Sequence, residues 1–201
     1  MSPTACANPA LSRLLAEVRR CTICEHHLPL GTNPVLSAAV NSRIVLISQA
    51  PGVRVHRSGV PWDDESGKRL RSWLDVDDET FYDPTNFAIL PMGFCYPGTH
   101  PKGGDLPPRK ECAPQWHPAL FEELPNLRLK VVIGNYAQKY YLGKRAERTL
   151  TDTVRNFEAY LPAHFPLVHP SPLNHGWLKK NPWYEADVLP VLKRRVHDLV
   201  S

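Results

Sequence analysis

Four cysteines form two pairs whose spacing suits metal binding. Cys21 and Cys24 are separated by two residues, and Cys95 and Cys112 flank a long, proline-rich stretch. Four thiolates can hold either tetrahedral zinc or an iron–sulfur cluster. A metal staple would also offset the ordering entropy of so long a loop. The alternative is four unrelated buried thiols, and Cys6, in a polar N-terminal stretch, is expected to be a free thiol with no part in a site.

A second group of reactive side chains follows two apolar runs. Residues 49–52, Gln-Ala-Pro-Gly, come directly after the run 43–48, and His169 ends the run 165–169 and precedes Pro-Ser-Pro. Pro51 stiffens the first turn, and Gly52 allows the backbone to approach a ligand closely. The Gln49 amide can donate and accept hydrogen bonds, but it cannot act as a general base.

The elements that must position these residues alternate between strands and helices. Near-continuous apolar runs predict strands covered on both faces, at 43–48, 86–92, 129–134 and 165–169. Helical spacing predicts helices at 9–20, 66–74, 115–124, 135–142 and 183–199. This alternation predicts an α/β fold with a parallel sheet and helices on both sides. Ligands bind at the carboxyl ends of such strands, where 49–52 and 169–174 fall.

Length and composition indicate one domain over residues 1–201, with residues 1–8 as a flexible tail. The chain is 42% apolar and has a net charge of +4. Its basic residues cluster at 54–71, 139–148 and 179–195, which suits a polyanionic partner or merely a solvated surface. No apolar run is long enough to span a bilayer and the N-terminus lacks a signal pattern. We therefore expect a cytoplasmic protein with no membrane partner.

Several of these segments together resemble the uracil-DNA glycosylase superfamily, most closely its iron–sulfur branch. That branch has Gly-Glu-Ala-Pro-Gly at the first motif, Gly-x-Pro-Phe shortly after it, and His-Pro-Ser at the second catalytic motif. The corresponding segments here are Gln49 to Gly52, Gly59 to Trp62, Ser66 to Leu70, Val132 to Ala137 and His169 to Ser171. The resemblance covers nearly the whole chain.

The resemblance implies a three-layer α/β/α sandwich on a four-stranded parallel sheet. It also implies that Cys21, Cys24, Cys95 and Cys112 hold a structural [4Fe-4S] cluster, with zinc as the alternative. The implied activity is that of a DNA repair enzyme. It would flip a deaminated base, uracil first of all, out of DNA and hydrolyse the N-glycosidic bond. We expect a monomer. We also expect it to leave an abasic site without cutting the strand, because no lysine stands at a motif position to form a Schiff base.

The same resemblance assigns roles to individual residues. His169 would donate a hydrogen bond to the departing base, Gln49 would hold water or a base carbonyl, and Trp62 would be the stacking platform. The alternative for both His169 and Trp62 is an ordinary position in the core. Leu173 is placed like the wedge that fills the gap left by a flipped base, although a core leucine is the alternative. The remaining assignments are base contacts by Ala50, Pro51, Gly52 and Asn135, and DNA contacts by Ser171, Asn174, Arg54 and Lys68.

Two positions depart from the family pattern. Pro91 stands where the iron–sulfur branch has a uracil-recognising asparagine, and Gln49 stands where a carboxylate is usual. Asp63 or Asp64 could replace the carboxylate, and Asn135 or Asn174 could replace the amide. A different damaged base, or a binding module that traps a base without turnover, is therefore the alternative to uracil excision.

Overall fold

The computed structural model describes residues 8–200. The predicted tail and Cys6 lie outside the described residues, except for Asn8. The Asn8 side chain caps the first helix by accepting a hydrogen bond from the Ala10 N–H at 2.8 Å. Its amide also donates to Glu123 at 3.0 Å, which ties the start of the helix to the end of another.

A four-stranded parallel sheet forms the centre of the protein. Its strands are β1 (Ile44–Ile47), β2 (Phe87–Ile89), β3 (Leu129–Ile133) and β4 (His164–Leu167). They lie in the order β2-β1-β3-β4. The chain therefore leaves β1 toward one edge and later crosses back to the other. The switch point between β1 and β3 is where an open parallel sheet of this kind binds ligands.

Helices surround the sheet in the described residues: the five predicted ones, whose ends are shifted, and four short ones that were not predicted. They are α1 (Pro9–Arg19), α2 (Val53–Ser58), α3 (Glu65–Leu74), α4 (Asp78–Tyr82), α5 (Cys112–Glu122), α6 (Gly134–Leu142), α7 (Leu150–Arg155), α8 (His175–Lys180) and α9 (Leu189–Val200). The predicted helix 183–199 is α9 preceded by a π-helical turn, Tyr184–Val188. Short 3-10 segments lie at Glu25–His27, Gly143–Arg145, Phe157–Tyr160 and Pro172–Asn174.

The two faces of the sheet bury separate apolar cores, which makes the fold the expected α/β/α sandwich. Ile44 and Leu46 point to the side covered by α3, α7 and α9, where Leu70 and Leu192 are fully buried. Val45 and Ile47 point to the side covered by α1, α5 and α6. Every residue of β1 is buried, because strands covered on both faces have no solvent side.

None of the helices in the described part of the chain is long and apolar enough to cross a membrane.

Candidate active site

A cavity of about 370 Å³ opens at the carboxyl ends of β1 and β4. This volume lies in the range of small-molecule sites. It brings together two segments that are far apart in sequence, the turn after β1 and the loop after β4. The predicted site residues that line it are Gln49, Ala50, Pro51, Gly52, Trp62, Asp64, His169, Ser171, Leu173 and Asn174.

The His169 imidazole faces this cavity in a defined tautomer. The backbone N–H of Ser171 donates to its Nδ1 at 3.2 Å, so Nδ1 carries no proton. Burial lowers the pKa of His169 to about 4, although the nearby Asp64 carboxylate acts in the opposite direction. The ring is therefore neutral at physiological pH with its proton on Nε2. Nε2 has no hydrogen-bond partner among residues 8–200, so its N–H is available to a ligand.

Two side chains hold the loop that carries His169. The Asn174 amide donates to the carbonyl of His169 at 2.8 Å. The guanidinium of Arg69, on α3, donates to the carbonyls of Pro170 and Ser171 at 3.2 and 3.1 Å. Arg69 and Asn174 thus both bind backbone carbonyl groups of this loop. These bonds reduce the freedom of His169 before any ligand binds.

Trp62 lines the cavity and also belongs to the apolar core. It is only 8% exposed, and its backbone adopts a left-handed conformation with φ of 57°. The centroids of its ring and the His169 ring are 5.7 Å apart, with the planes inclined by 31°. The two rings therefore contact each other directly. A base would meet both rings from the cavity side and would not enter between them.

The turn after β1 is tied to a distant loop. The Gln49 side chain donates to the carbonyl of Leu106 at 2.9 Å, and the Gln49 carbonyl accepts from the Gly93 N–H at 3.0 Å. Gly52 begins α2 with φ of −75°, so it is not required there for a left-handed conformation. Its side of the turn faces the carboxylates of Asp105 and Asp64.

The structure distinguishes the two aspartates proposed as substitutes for the missing carboxylate. Asp64 lines the cavity and caps α3, with Oδ1 accepting from the Gly67 N–H at 2.8 Å. Asp63 does not line the cavity and forms an ion pair with Arg54 at 3.4 Å.

Asp105, which was not among the predicted site residues, lies at the rim of the cavity. Partial desolvation, and then the charge of Asp64, raise the pKa of the Asp105 carboxyl group. The available signal was an acidic residue within the Gly- and Pro-rich loop between Cys95 and Cys112.

The two amide candidates for base recognition occupy different positions. Asn174 lines the cavity, but its side-chain amide is bonded to the His169 carbonyl. Asn135 is exposed and lines a neighbouring cavity of about 200 Å³ that shares Gln49 and His169 with the first. Pro91 lines the main cavity, and its carbonyl accepts a hydrogen bond from His117 at 3.1 Å. The position of the usual uracil-recognising asparagine therefore offers no side-chain donor.

Of the predicted DNA contacts, Ser171, Leu173 and Asn174 line the cavity, whereas Arg54 and Lys68 do not. Leu173 is 80% exposed, which excludes the alternative that it is a core leucine. Its N–H donates to the Ser171 hydroxyl at 3.2 Å, which fixes the turn that presents it. Arg54 and Lys68 are exposed at the surface, and Lys68 pairs with Glu65 at 2.7 Å. Phosphates would have to compete with these exposed ion pairs, which are weak.

The four predicted metal ligands line a separate, small cavity of about 20 Å³. It lies where the two ends of the 95–112 loop come together. All four are free thiols. Burial raises the pKa of Cys95 to about 11 and that of Cys112 to about 12. Thiols in such surroundings stay protonated unless a metal binds them as thiolates.

The donor chemistry of these four thiols suits either an iron–sulfur cluster or a zinc ion. Among the described residues, no three Cys, His, Asp or Glu side chains are arranged to hold one metal ion. Arg109 lines the same cavity, and its buried Nε has no hydrogen-bond partner in residues 8–200. Hydrogen bonds to sulfur are a common feature of iron–sulfur sites.

A comparison with protein families gives one match over most of the chain. The sequence model described as "Uracil DNA glycosylase superfamily" matches residues 34–193. The matched range includes β1 to β4, the complete cavity and the second cysteine pair. Cys21 and Cys24 lie before it.

Proposed function

This chain belongs to the uracil DNA glycosylase superfamily, and we propose that it excises uracil or another deaminated base from DNA. The observation that carries the proposal is the unpartnered Nε2–H of His169, which faces a cavity large enough to admit a base. Its expected product is an abasic site. No lysine lines the cavity in the described residues, which favours hydrolysis over Schiff-base chemistry.

The chemistry requires a donor where negative charge develops. When the C1′–N bond breaks, its electron pair moves onto the base, and the sugar acquires oxocarbenium character. A neutral imidazole donates from Nε2 to a carbonyl oxygen of the base, and the bond strengthens as charge accumulates there. The Ser171 N–H prevents the other tautomer, so the donor is oriented before the base arrives. The Asp64 carboxylate, close enough to influence His169, would stabilise the cationic sugar.

The entrance suits an everted nucleotide. A base inside a duplex cannot reach the cavity, so it must leave the stack. Leu173, which projects from the loop that also carries His169, is placed to occupy the resulting gap. Trp62 supplies an aromatic surface for stacking, worth about 1–3 kcal/mol per base. Pro91 leaves the identity of the base open, because the usual amide is missing.

The test is base release from single-stranded and duplex oligonucleotides carrying uracil, hypoxanthine or xanthine. We expect His169→Ala to slow release by about 10²- to 10³-fold, the loss typical of one such donor. The matched control is His197→Ala, because His197 lies on α9 and contacts Asp75 at 3.5 Å, away from the cavity. Binding without release of any base would instead favour a module that traps damaged DNA. Equal rates for the two variants would refute the role of His169.

We further propose that the four cysteines hold a [4Fe-4S] cluster with a structural role. The cluster would join the segment after α1 to both ends of the 95–112 loop, which contributes to the cavity rim. Support comes from the four-thiol donor set and the unpartnered Nε of Arg109. Iron and sulfide analysis of anaerobically purified protein tests this, with Cys112→Ser against the control Cys6→Ser. Zinc without blue-light absorption would refute it.

A further inference from the structure

A short hairpin carries Asp105 to the rim of the cavity. Residues 98–106 fold back on themselves through backbone hydrogen bonds, two of which join the two arms of the hairpin. The His100 N–H donates to the Gly104 carbonyl at 2.7 Å and the Leu106 N–H donates to the Gly98 carbonyl at 2.8 Å. Gly103 and Gly104 form the turn with positive φ values of 91° and 78°. The hairpin is part of the loop between Cys95 and Cys112, so its two arms lead back to these two cysteines.

The hairpin lies beside two segments that line the cavity. Its Leu106 carbonyl accepts the hydrogen bond from Gln49, directly after β1. At its tip, a Cβ on Gly104 would lie 3.9 Å from a methyl carbon of Leu173. The hairpin is therefore bonded to the turn after β1 and lies next to the loop that carries His169.

Two carboxylates converge where the hairpin meets the turn after β1. A Cβ on Gly52 would lie 3.5 Å from Asp105 Oδ2 and 3.9 Å from Asp64 Oδ2. The two oxygens are therefore at most about 7.4 Å apart. Glycine at position 52 leaves the space between them open to solvent or a ligand.

The two carboxylates are not equivalent. Asp64 uses Oδ1 to cap α3. The Asp105 carboxylate makes no hydrogen bond or ion pair with any residue in the described range, so both of its oxygens can accept. It also stays exposed at the mouth of the cavity. When a base fills the interior, its sugar remains at the mouth.

We propose that Asp105 is the general base that takes a proton from the attacking water. This inference rests on the proposed glycosylase function. Water adds to C1′ as the C1′–N bond breaks, and the bond's electron pair leaves with the base. One water proton passes to the Asp105 carboxylate and is later released to solvent, while the base anion, held by His169, takes up a proton. The products are the free base and an abasic deoxyribose.

The arrangement separates the two charges that form. His169 meets the negative charge on the base inside the cavity, whereas Asp64 and Asp105 lie where the positive sugar and the water would be. Partial desolvation, and then repulsion from Asp64, raise the pKa of Asp105, which makes its carboxylate a better proton acceptor. The arrangement also replaces the carboxylate missing at Gln49 by one from another part of the chain.

The test is the single-turnover rate of base release, with the DNA dissociation constant measured in parallel. Asp105→Asn keeps the size and hydrogen-bonding capacity of the side chain. We expect its rate to fall by about 10²- to 10⁴-fold, the usual contribution of general-base catalysis, with DNA affinity nearly unchanged. Asp198→Asn, which neutralises an exposed carboxylate on α9, is the matched control.

A second variant distinguishes chemistry from structure. Added formate should restore part of the lost rate in Asp105→Ala, because a small carboxylate can enter the space left at the exposed rim. A structural role for Asp105 predicts no such rescue. An Asp105→Asn rate within about threefold of the parent, or absence of rescue, would overturn the inference while leaving the glycosylase proposal intact. Absence of base release by the unaltered chain would overturn the proposed function itself.

Discussion

The contact between Gly67 and Trp62 provides a direct test of how the cavity is built. Trp62 has a left-handed backbone, which is rare for a large side chain and carries a strain of about 1–3 kcal/mol. The first turn of α3 packs against it so closely that there is no room for a side chain at Gly67. In Gly67→Ala, the new Cβ would lie 2.7 Å from the Trp62 carbonyl carbon and 2.8 Å from its Cβ, and closer still to its carbonyl oxygen.

The size of the effect follows from these distances. Carbon atoms do not approach so closely, so either α3 or the Trp62 backbone must move. Overpacking of this kind costs about 1–3 kcal/mol. The lower entropy of the unfolded chain with alanine recovers only about 0.4–1 kcal/mol. We therefore expect a net loss of about 1–2 kcal/mol in the free energy of unfolding. A displacement near 1 Å in the cavity wall is also enough to slow catalysis by about 10²-fold.

Urea unfolding followed by tryptophan fluorescence measures the stability, and base release measures the activity. Gly176→Ala is the matched control. A Cβ at Gly176, within α8, would have no neighbour within 4 Å, so this variant should be slightly more stable than the parent. If Gly67→Ala were as stable and active as Gly176→Ala, the close packing of α3 against Trp62 would be refuted.

Two further predictions concern histidines and the residues that hold them. Arg69→Gln removes two hydrogen bonds to the His169 loop, so kcat should fall by about tenfold or more. Arg13→Gln, at an exposed position of α1, is the control. An unchanged kcat in Arg69→Gln would contradict a positioning role. Burial lowers the pKa of His117 to about 4, so the stability it contributes is complete above pH 6.5 and is lost as the pH falls toward 4. In urea titrations, the free energy of unfolding should decline across this range less steeply in His117→Gln than in the parent, by about 1.4 kcal/mol per pH unit. Equal slopes in the two proteins would contradict a neutral, buried His117.

The sheet was predictable because its strands are buried on both faces. Continuous apolar runs such as Ile44 to Ile47 leave no other place for the segment than the centre of an α/β fold. Short helices such as α2, α7 and α8 were not predicted. Each has six residues, too few for a clear helical periodicity, and depends on tertiary contacts such as the hydrogen bond from Trp177 to Thr151.

The site was predictable only where strand ends and motifs coincide. Gln49 and His169 follow directly from the ends of β1 and β4, so the sheet alone brings them to the same edge. Which side chain faces the cavity depends instead on contacts between loops. Asn174 turns its amide to the His169 carbonyl, and Asp63 pairs with Arg54 outside the cavity. No local pattern in the sequence encodes these choices.

Asp105 illustrates this limit most clearly. It is separated from Asp64 by a strand, two helices and part of a proline-rich loop, and the two carboxylates meet only because the hairpin 98–106 folds back over the turn after β1. That turn contains Gln49, which has lost the usual carboxylate yet holds the hairpin through Leu106. The Gln49 amide, which stands in place of the usual acid, thus holds the hairpin that brings Asp105 to the cavity. With Asp105 as the general base, the catalytic carboxylate is not lost with the glutamine at position 49 but is supplied by a different loop.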